Sequence, residues 1–194
     1  MSELVKPGSG LLFMKVGVHA QETLEDIVAR KMGEIDKAGY GLWGYGGNTC
    51  HPGTMVQPFA EKFASEGKAI HLVMEEMDSK HFAEPQIAAE YSADGREWKE
   101  IPKEIEVMGS RFALVIKNLR EHEETLSLDQ TKVAVGNSMG RLGSRYVSGR
   151  VDKACLEVLP EPERVNEENS KAERPINLVA DLAAPYAVFL RNFR

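Results

Sequence analysis

The stretch RFALVIKNLREHEETLSLDQTKVAV, residues 111–135, decides the predicted fold. Its two ends, residues 111–116 and 131–135, are short and rich in β-branched and aliphatic side chains, which is typical of strands. No helix is predicted between residues 105 and 135, whereas a doubly wound parallel sheet requires a helix between successive strands. The sequence therefore predicts an α+β fold, with a mixed curled sheet or partial barrel flanked by helices.

The residues before this stretch supply further strands and two helices. Apolar runs, continuous or alternating, indicate the strands. Thr23 and Asp26 form a helix-start pattern, and Gly39 supplies the stop signal of the first helix. The predicted strands cover residues 11–18, 40–45 and 69–74, and the predicted helices cover residues 23–38 and 54–66.

Three segments of different composition follow one another along the chain. Residues 1–159 contain all of these elements and are expected to form one domain. Residues 160–175 are acidic and contain prolines, which is typical of a linker. Residues 176–194 are apolar and weakly helical in pattern. This tail is expected to dock on its own domain, on a second copy of the chain or on a partner protein.

The composition narrows the classes of partner and compartment. The net charge of −6 disfavours broad attachment to a nucleic-acid backbone. No apolar run approaches the roughly 18 residues that span a bilayer, and no secretion signal is recognised at the N-terminus. The two cysteines have no CxxC spacing, which argues against a disulfide framework or a structural zinc site. A cytoplasmic protein without membrane, metal or cofactor partners is expected.

The segment LWGYGGNTCHPG, residues 42–53, is the strongest candidate for a functional loop. Glycines let the backbone approach a ligand closely, and aromatic rings offer flat faces on which a base stacks. Asn48 can both donate and accept hydrogen bonds at a base edge. The alternative is a tight turn whose aromatic side chains only fill the core. The predicted ligand-binding residues of this loop are Trp43, Tyr45, Gly46, Gly47, Asn48, Thr49 and His51.

A second candidate loop, residues 136–146, follows the predicted strand 131–135. Arg141 and Arg145 are one helical turn apart, which suits a two-pronged grip on a phosphate. Asn137 and Ser138 come directly after the strand, where polar groups of ligands are often bound. The alternative is a solvated, positively charged helix start.

Lys15 interrupts the apolar strand 11–18. Burying an unpaired ammonium is costly, so this side chain must reach solvent, an ion-pair partner or a ligand. Lys15 is therefore a candidate ligand-binding residue. A lysine that extends to solvent at a strand end is the alternative.

The order of the predicted elements resembles the YTH domain and, more distantly, the bacterial EVE domains of the PUA-like superfamily. The run Leu12-Phe13-Met14-Lys15 is similar to the opening strand of this family, which ends in lysine. The pair Leu42-Trp43 is similar to its aliphatic–tryptophan pair, which precedes a polar loop and a helix. The resemblance covers about residues 11–159. Helix 23–38 and the glycine-rich loop are both longer than in the family.

The resemblance implies a small curled-sheet module that recognises a modified base. Trp43 would form one wall of an aromatic cage, and groups near Lys15 and Asn48 would read the base edge. Trp98 and Tyr146 are candidates for a second cage aromatic.

Together these features predict a binding module for a nucleotide or for a modified base in RNA or DNA. A purine-like base would stack on Trp43 and accept or donate hydrogen bonds at Asn48 and Asn137. The two arginines of the second loop would contact phosphate. No catalytic residue is assigned in this interpretation.

A nucleotide-processing hydrolase is the alternative function. Cys50 would be its nucleophile, with His51 or His71 as acid or base. Neighbours in sequence seldom point at each other, so the remote His71 would be needed as the base. The sequence contains no serine-hydrolase, Walker or dinucleotide-binding motif.

Overall fold

The fold was analysed in a computed structural model that describes residues 2, 4–46, 49–80, 84–147, 151–163 and 172–194, without the side chains of residues 79 and 80. The strands are β1 (Gly10–Val18), β2 (Gly41–Tyr45), β3 (Ile70–Lys80), β4 (Glu90–Ser92), β5 (Lys99–Glu100), β6 (Phe112–Ser127), β7 (Thr131–Val133), β8 (Lys153–Val158) and β9 (Glu173–Arg191). The helices are α1 (Leu24–Ala38), α2 (Gln57–Ser65) and α3 (Gly143–Tyr146), with a π-helical turn at Pro52–Val56 and a 3-10 turn at Leu128–Gln130.

One mixed sheet contains all the strands of the described residues. Its main path is β2-β6-β9-β3-β1-β8-β7, and the short β4 and β5 extend from β9. Within this part of the chain β1 and β3 run parallel, and the other paired strands run antiparallel. The prediction of a mixed sheet flanked by helices is confirmed, and the sheet is not closed into a barrel.

Helix α1 begins and ends at the residues that the sequence indicates. The Thr23 side chain accepts a hydrogen bond of 3.2 Å from the backbone N–H of Asp26, which satisfies one of the free N–H groups of the first turn. Gly39 has a φ of +83° and donates its backbone N–H to the Ile35 carbonyl at 2.9 Å. A residue without a Cβ adopts this left-handed conformation at little cost, so the helix stops there.

The predicted helix 54–66 is divided in two. The π-helical turn comes first, and α2 then carries Pro58 in its first turn, where a missing N–H is tolerated. Phe59 and Phe63 of α2 are fully buried, and their ring centroids lie 5.1 Å apart. They pack on Gly10, where an added Cβ would lie 2.9 Å from the Phe63 ring. This close packing fixes α2, and with it the end of the preceding loop, against β1.

The weakly helical pattern predicted for residues 176–194 is wrong, because β9 occupies most of this segment. β9 lies between β6 and β3 and has apolar side chains buried on both faces of the sheet, such as Leu178 and Val179. A strand buried on both faces has no alternating pattern, so periodicity does not distinguish it from a helix. β9 also includes residues 173–175 of the predicted linker, whereas residues 164–171 lie outside the described residues.

The sheet has apolar clusters on both faces. On one face Leu12, Leu72 and Met74 pack against α1 and α2. On the other face Phe13 and Val73 pack against β7, β8 and the first half of β9. Among the helices of the described residues, none combines the length and the apolar character needed to cross a membrane.

Candidate functional site

A cavity of about 700 Å³ lies at the ends of β1 and β2, on the face that carries α1. Its walls are residues 14–19 of β1 and the following turn, one side of α1, the end of β2, residues 106–111 and residues 151–153. Small-molecule sites in proteins usually measure about 300–1,000 Å³. The cavity is therefore large enough for a ligand of nucleotide size.

Of the five described candidate ligand-binding residues of the first loop, four line this cavity. Trp43, Tyr45, Gly46 and Thr49 line it. Trp43 and Tyr45 alternate with residues of the opposite face along β2, so that both rings lie on the helical face of the sheet. Gly47 and Asn48 lie outside the described residues.

The Tyr45 ring is fixed in place. Its hydroxyl donates a hydrogen bond of 2.7 Å to the carbonyl of Cys50, which ties the end of β2 to the loop that follows. The side chain is 2% exposed, and this burial raises the pKa of the phenol well above its usual range. Tyr45 is therefore a neutral, rigid wall of the cavity.

Among the described candidate ligand-binding residues of the first loop, His51 alone does not line the cavity. Its ring packs edge-on against Phe112 and Phe189, with centroid distances of 5.6 Å and 5.5 Å. This aromatic cluster anchors the start of the π-helical turn on β6 and β9. The position supports a packing role for His51.

The cavity wall carries more cations than acids. The acidic residues that line it are Glu22, Glu106 and Asp152, and the cationic residues are Lys15, Arg30, Lys31, Arg111 and Lys153. Three of the cations are paired: Arg30 with Glu22 at 2.6 Å, Lys31 with Glu34 at 2.9 Å, and Lys153 with Asp152 at 2.9 Å.

The other two cations are not within 4.0 Å of a described carboxylate, although Glu75 of β3 is the register neighbour of Lys15. Among the described residues, neither Lys15 nor Arg111 has an ion-pair partner. Lys15 is half-buried and Arg111 is exposed at the start of β6. The cavity therefore offers positive charge to an anionic group of a ligand.

A buried network joins α1 to residues 101–110 and forms one wall of the cavity. Lys31 is 3% exposed and donates to Glu34 Oε2 at 2.9 Å and to the Glu106 carbonyl at 2.6 Å. Glu34 Oε1 accepts from the Glu106 N–H at 3.0 Å and from Arg30 at 3.1 Å. Burial lowers the pKa of Lys31 to about 8, although the carboxylate of Glu34 opposes this effect. Sequence reasoning missed this network, because Lys31 and Glu34 have the spacing of an ordinary exposed helix pair.

Gly44 has a packing role, although the glycine pattern in the sequence suits ligand binding equally well. A Cβ at Gly44 would lie 2.4 Å from Ser110 Oγ, so the missing side chain lets residues 107–110 cross β2 closely. Ser110 Oγ in turn lies 3.1 Å from His19 Nε2. Gly44, the first glycine of the GYGG run, therefore allows the close packing of two segments that form the cavity wall.

The second predicted loop lies away from the cavity. Asn137, Ser138, Arg141 and Arg145 do not line it, and both arginines are exposed. The loop folds back on itself, since the Val133 N–H donates to the Arg141 carbonyl at 2.8 Å. The structure therefore does not bring the two predicted loops together at one site.

The candidates for a second cage aromatic are also elsewhere. Trp98 lies beneath the guanidinium of Arg191, 4.1 Å from the ring centroid, and Tyr146 packs against the apolar cluster on the face opposite α1. Neither ring lines the cavity. Trp43 and Tyr45 are the aromatic side chains of the described residues that do.

Cys50, His51 and His71, the residues of the alternative hydrolase, do not line the cavity. His71 is on the other face of β3, where its Nδ1 lies 2.9 Å from Asp181 Oδ1. Burial raises the pKa of Asp181, but hydrogen bonds from Asn118 and His71 outweigh burial and leave that pKa lowered. Among the described residues, no group of three or more His, Cys, Asp or Glu side chains is placed to hold a metal ion.

The chain was compared with protein-family models, with curated proteins and with solved structures. No family model, no curated protein and no solved structure matches it. The geometry of the cavity and the chemistry of its walls therefore carry the functional inference.

Proposed function

We propose that the protein is a binding module for a small anionic ligand with a flat ring, such as a nucleotide or a nucleotide with a modified base. The observation that carries this proposal is a cavity of about 700 Å³ that combines aromatic walls with two cations unpaired among the described residues. The chain as a whole is acidic, with a net charge of −6, so these cations are a local feature of the cavity.

In this proposal the ring of the ligand meets the small accessible part of Trp43, which is 4% exposed, and its phosphate or other anionic group contacts Lys15 and Arg111. A hydrogen bond to a charged group contributes about 1.5–3 kcal/mol, so the anionic contacts supply most of the affinity in this proposal. Asn48 keeps its predicted role at the base edge. Lys15 and Arg111 replace the arginines of the second loop as the phosphate contacts, because only the former line the cavity.

A relationship to PUA-like modules, and with it recognition of a modified base in RNA or DNA, is part of the same proposal. Two observations support it. Trp43 and Lys15 line one cavity, as the resemblance implies. Three strands lie between β1 and β2, which would place the two strands roughly 19 Å apart in a flat sheet. Residues of both strands line the same cavity, which a curled sheet explains. A cavity rather than a long basic groove favours a single nucleotide unit over a polymer.

The test is to identify what the protein binds. The full chain is purified from cell extract and denatured, and released nucleotides are identified by mass spectrometry. Thermal unfolding is then measured with nucleoside monophosphates, cyclic nucleotides and modified nucleosides. A ligand at 100 times its Kd stabilises the folded state by about 2.7 kcal/mol, which is a rise in Tm of roughly 5–11 °C for a chain of this size. No released ligand together with no shift across the panel would refute the proposal.

A further inference from the structure

Cys50 and Cys155 lie next to each other in the folded chain. They are 105 residues apart in sequence, yet their Sγ atoms are 3.9 Å apart. Cys50 lies in the loop between β2 and the π-helical turn, and Cys155 lies on β8, where it pairs with Leu12. Both thiols are free and buried. A disulfide has an S–S distance of about 2.05 Å, so an approach of about 1.9 Å would join them.

We propose that Cys50 and Cys155 are the site of a reversible intramolecular disulfide that fastens the loop after β2 to β8. The oxidant is a hydroperoxide, with hydrogen peroxide as the simplest case. The first thiolate attacks a peroxide oxygen and becomes a sulfenic acid, with release of water. The second thiol attacks the sulfenic sulfur and releases a second water. Two thiols thus lose two electrons and two protons, and one peroxide is reduced to two waters.

The surroundings of the two thiols set the order of these steps. Cys155 is on a central strand, and its hydrogen bond with Cys50 and its complete burial raise the pKa of its thiol. A thiol with a raised pKa contains less of the nucleophilic thiolate. In the proposal Cys50, on the loop directly after Thr49 of the cavity wall, reacts first, and Cys155 closes the disulfide.

The backbone at Cys50 is in an unfavourable conformation next to the cavity. Cys50 has a φ of +56°, a left-handed conformation that is unfavourable for a residue with a Cβ. Cys50 is also directly after Thr49, which lines the cavity, and its carbonyl accepts the hydrogen bond of Tyr45. The disulfide would therefore hold one wall of the cavity against β8.

The experiment uses the full chain treated with hydrogen peroxide, followed by peptide mapping without reduction. The expected product is one peptide pair that contains Cys50 and Cys155, lighter by two hydrogen atoms and restored by dithiothreitol. Hydrogen exchange at the amides of Thr49 and Cys50 should be slower in the oxidised protein. Free thiols after treatment, sulfinic acids, disulfides between two chains or unchanged exchange would each overturn the proposal.

Two matched variants test the order of the steps. In Cys155→Ser, Cys50 should stop at the sulfenic acid, which a cyclic 1,3-diketone traps. In Cys50→Ser, Cys155 should react with peroxide more slowly than Cys50 does in Cys155→Ser, because Cys155 is completely buried on a strand. Equal rates would contradict the order. Even if a variant does not fold, peptide mapping of the peroxide-treated natural chain shows whether the disulfide forms.

Discussion

Replacement of Glu34 by alanine is expected to destabilise the protein strongly, because it leaves Lys31 buried without its charge partner. Glu34 is 4% exposed and holds three hydrogen bonds, from Lys31 at 2.9 Å, Glu106 N–H at 3.0 Å and Arg30 at 3.1 Å. In Glu34→Ala, the Lys31 ammonium keeps only the Glu106 carbonyl as a described acceptor. Breaking a buried ion pair from one side costs about 3–5 kcal/mol. For a chain of this size that is a fall in Tm of roughly 6–20 °C.

The matched control replaces both charges with apolar side chains, as Lys31→Met with Glu34→Leu. Such replacements of buried pairs are often neutral or stabilising, so the double variant should recover at least about 2 kcal/mol relative to Glu34→Ala. Urea unfolding followed by tryptophan fluorescence gives both free energies, since Trp43 is buried beside the network. A Glu34→Ala cost below about 1 kcal/mol, or a double variant as unstable as Glu34→Ala, would refute the assigned role of the pair.

Two further predictions concern the same cavity. Burial lowers the pKa of Lys31 from 10.5 to about 8, so the unfolded chain holds this proton more tightly than the folded chain. The free energy of unfolding of the natural chain should therefore rise relative to Lys31→Met between pH 8 and 10.5, and parallel pH profiles from urea unfolding would contradict the lowered pKa. Lys15→Ala and Arg111→Ala should each weaken binding of an identified anionic ligand roughly tenfold in calorimetry, equivalent to about 1.4 kcal/mol. Arg141→Ala and Arg145→Ala are the matched controls, and a greater loss in the controls would return the phosphate contact to the second loop.

The sequence predicts the fold correctly where local signals are strong, and the prediction fails where they are absent. The start of α1 depends on Thr23 and its end on Gly39, and each signal lies within a few residues of the boundary that it sets. β9 has no such signal, because both of its faces are buried and Pro185 interrupts its pattern. In the structure Pro185 falls between two segments of β9 that pair with β6, Glu173–Leu182 and Ala187–Phe189, where its missing N–H costs no ladder bond.

The candidate site is only partly predictable for a related reason. Trp43, Tyr45, Gly46 and Thr49 come from one short segment, so a local pattern of aromatic residues and glycines finds them together. The cations come from distant segments, and each one looks like an ordinary surface charge in its own neighbourhood. Arg141 and Arg145 match a local pattern for phosphate binding but lie outside the cavity. Their spacing along the chain does not show which part of the fold they face.

Of the cationic residues that line the cavity, Lys15 is the one that the sequence predicts, and the reason is energetic. A charge inside an apolar strand cannot be placed without regard to the rest of the fold, since an unpaired buried ammonium would cost several kcal/mol. Its position within an apolar strand therefore indicates that a solvent-filled space, a carboxylate or a ligand must lie beside the end of β1. The structure provides a cavity there and, among the described residues, no carboxylate partner. Arg111, directly before β6, lines the same cavity, so the anionic group of the proposed ligand would supply a counter-charge to both residues.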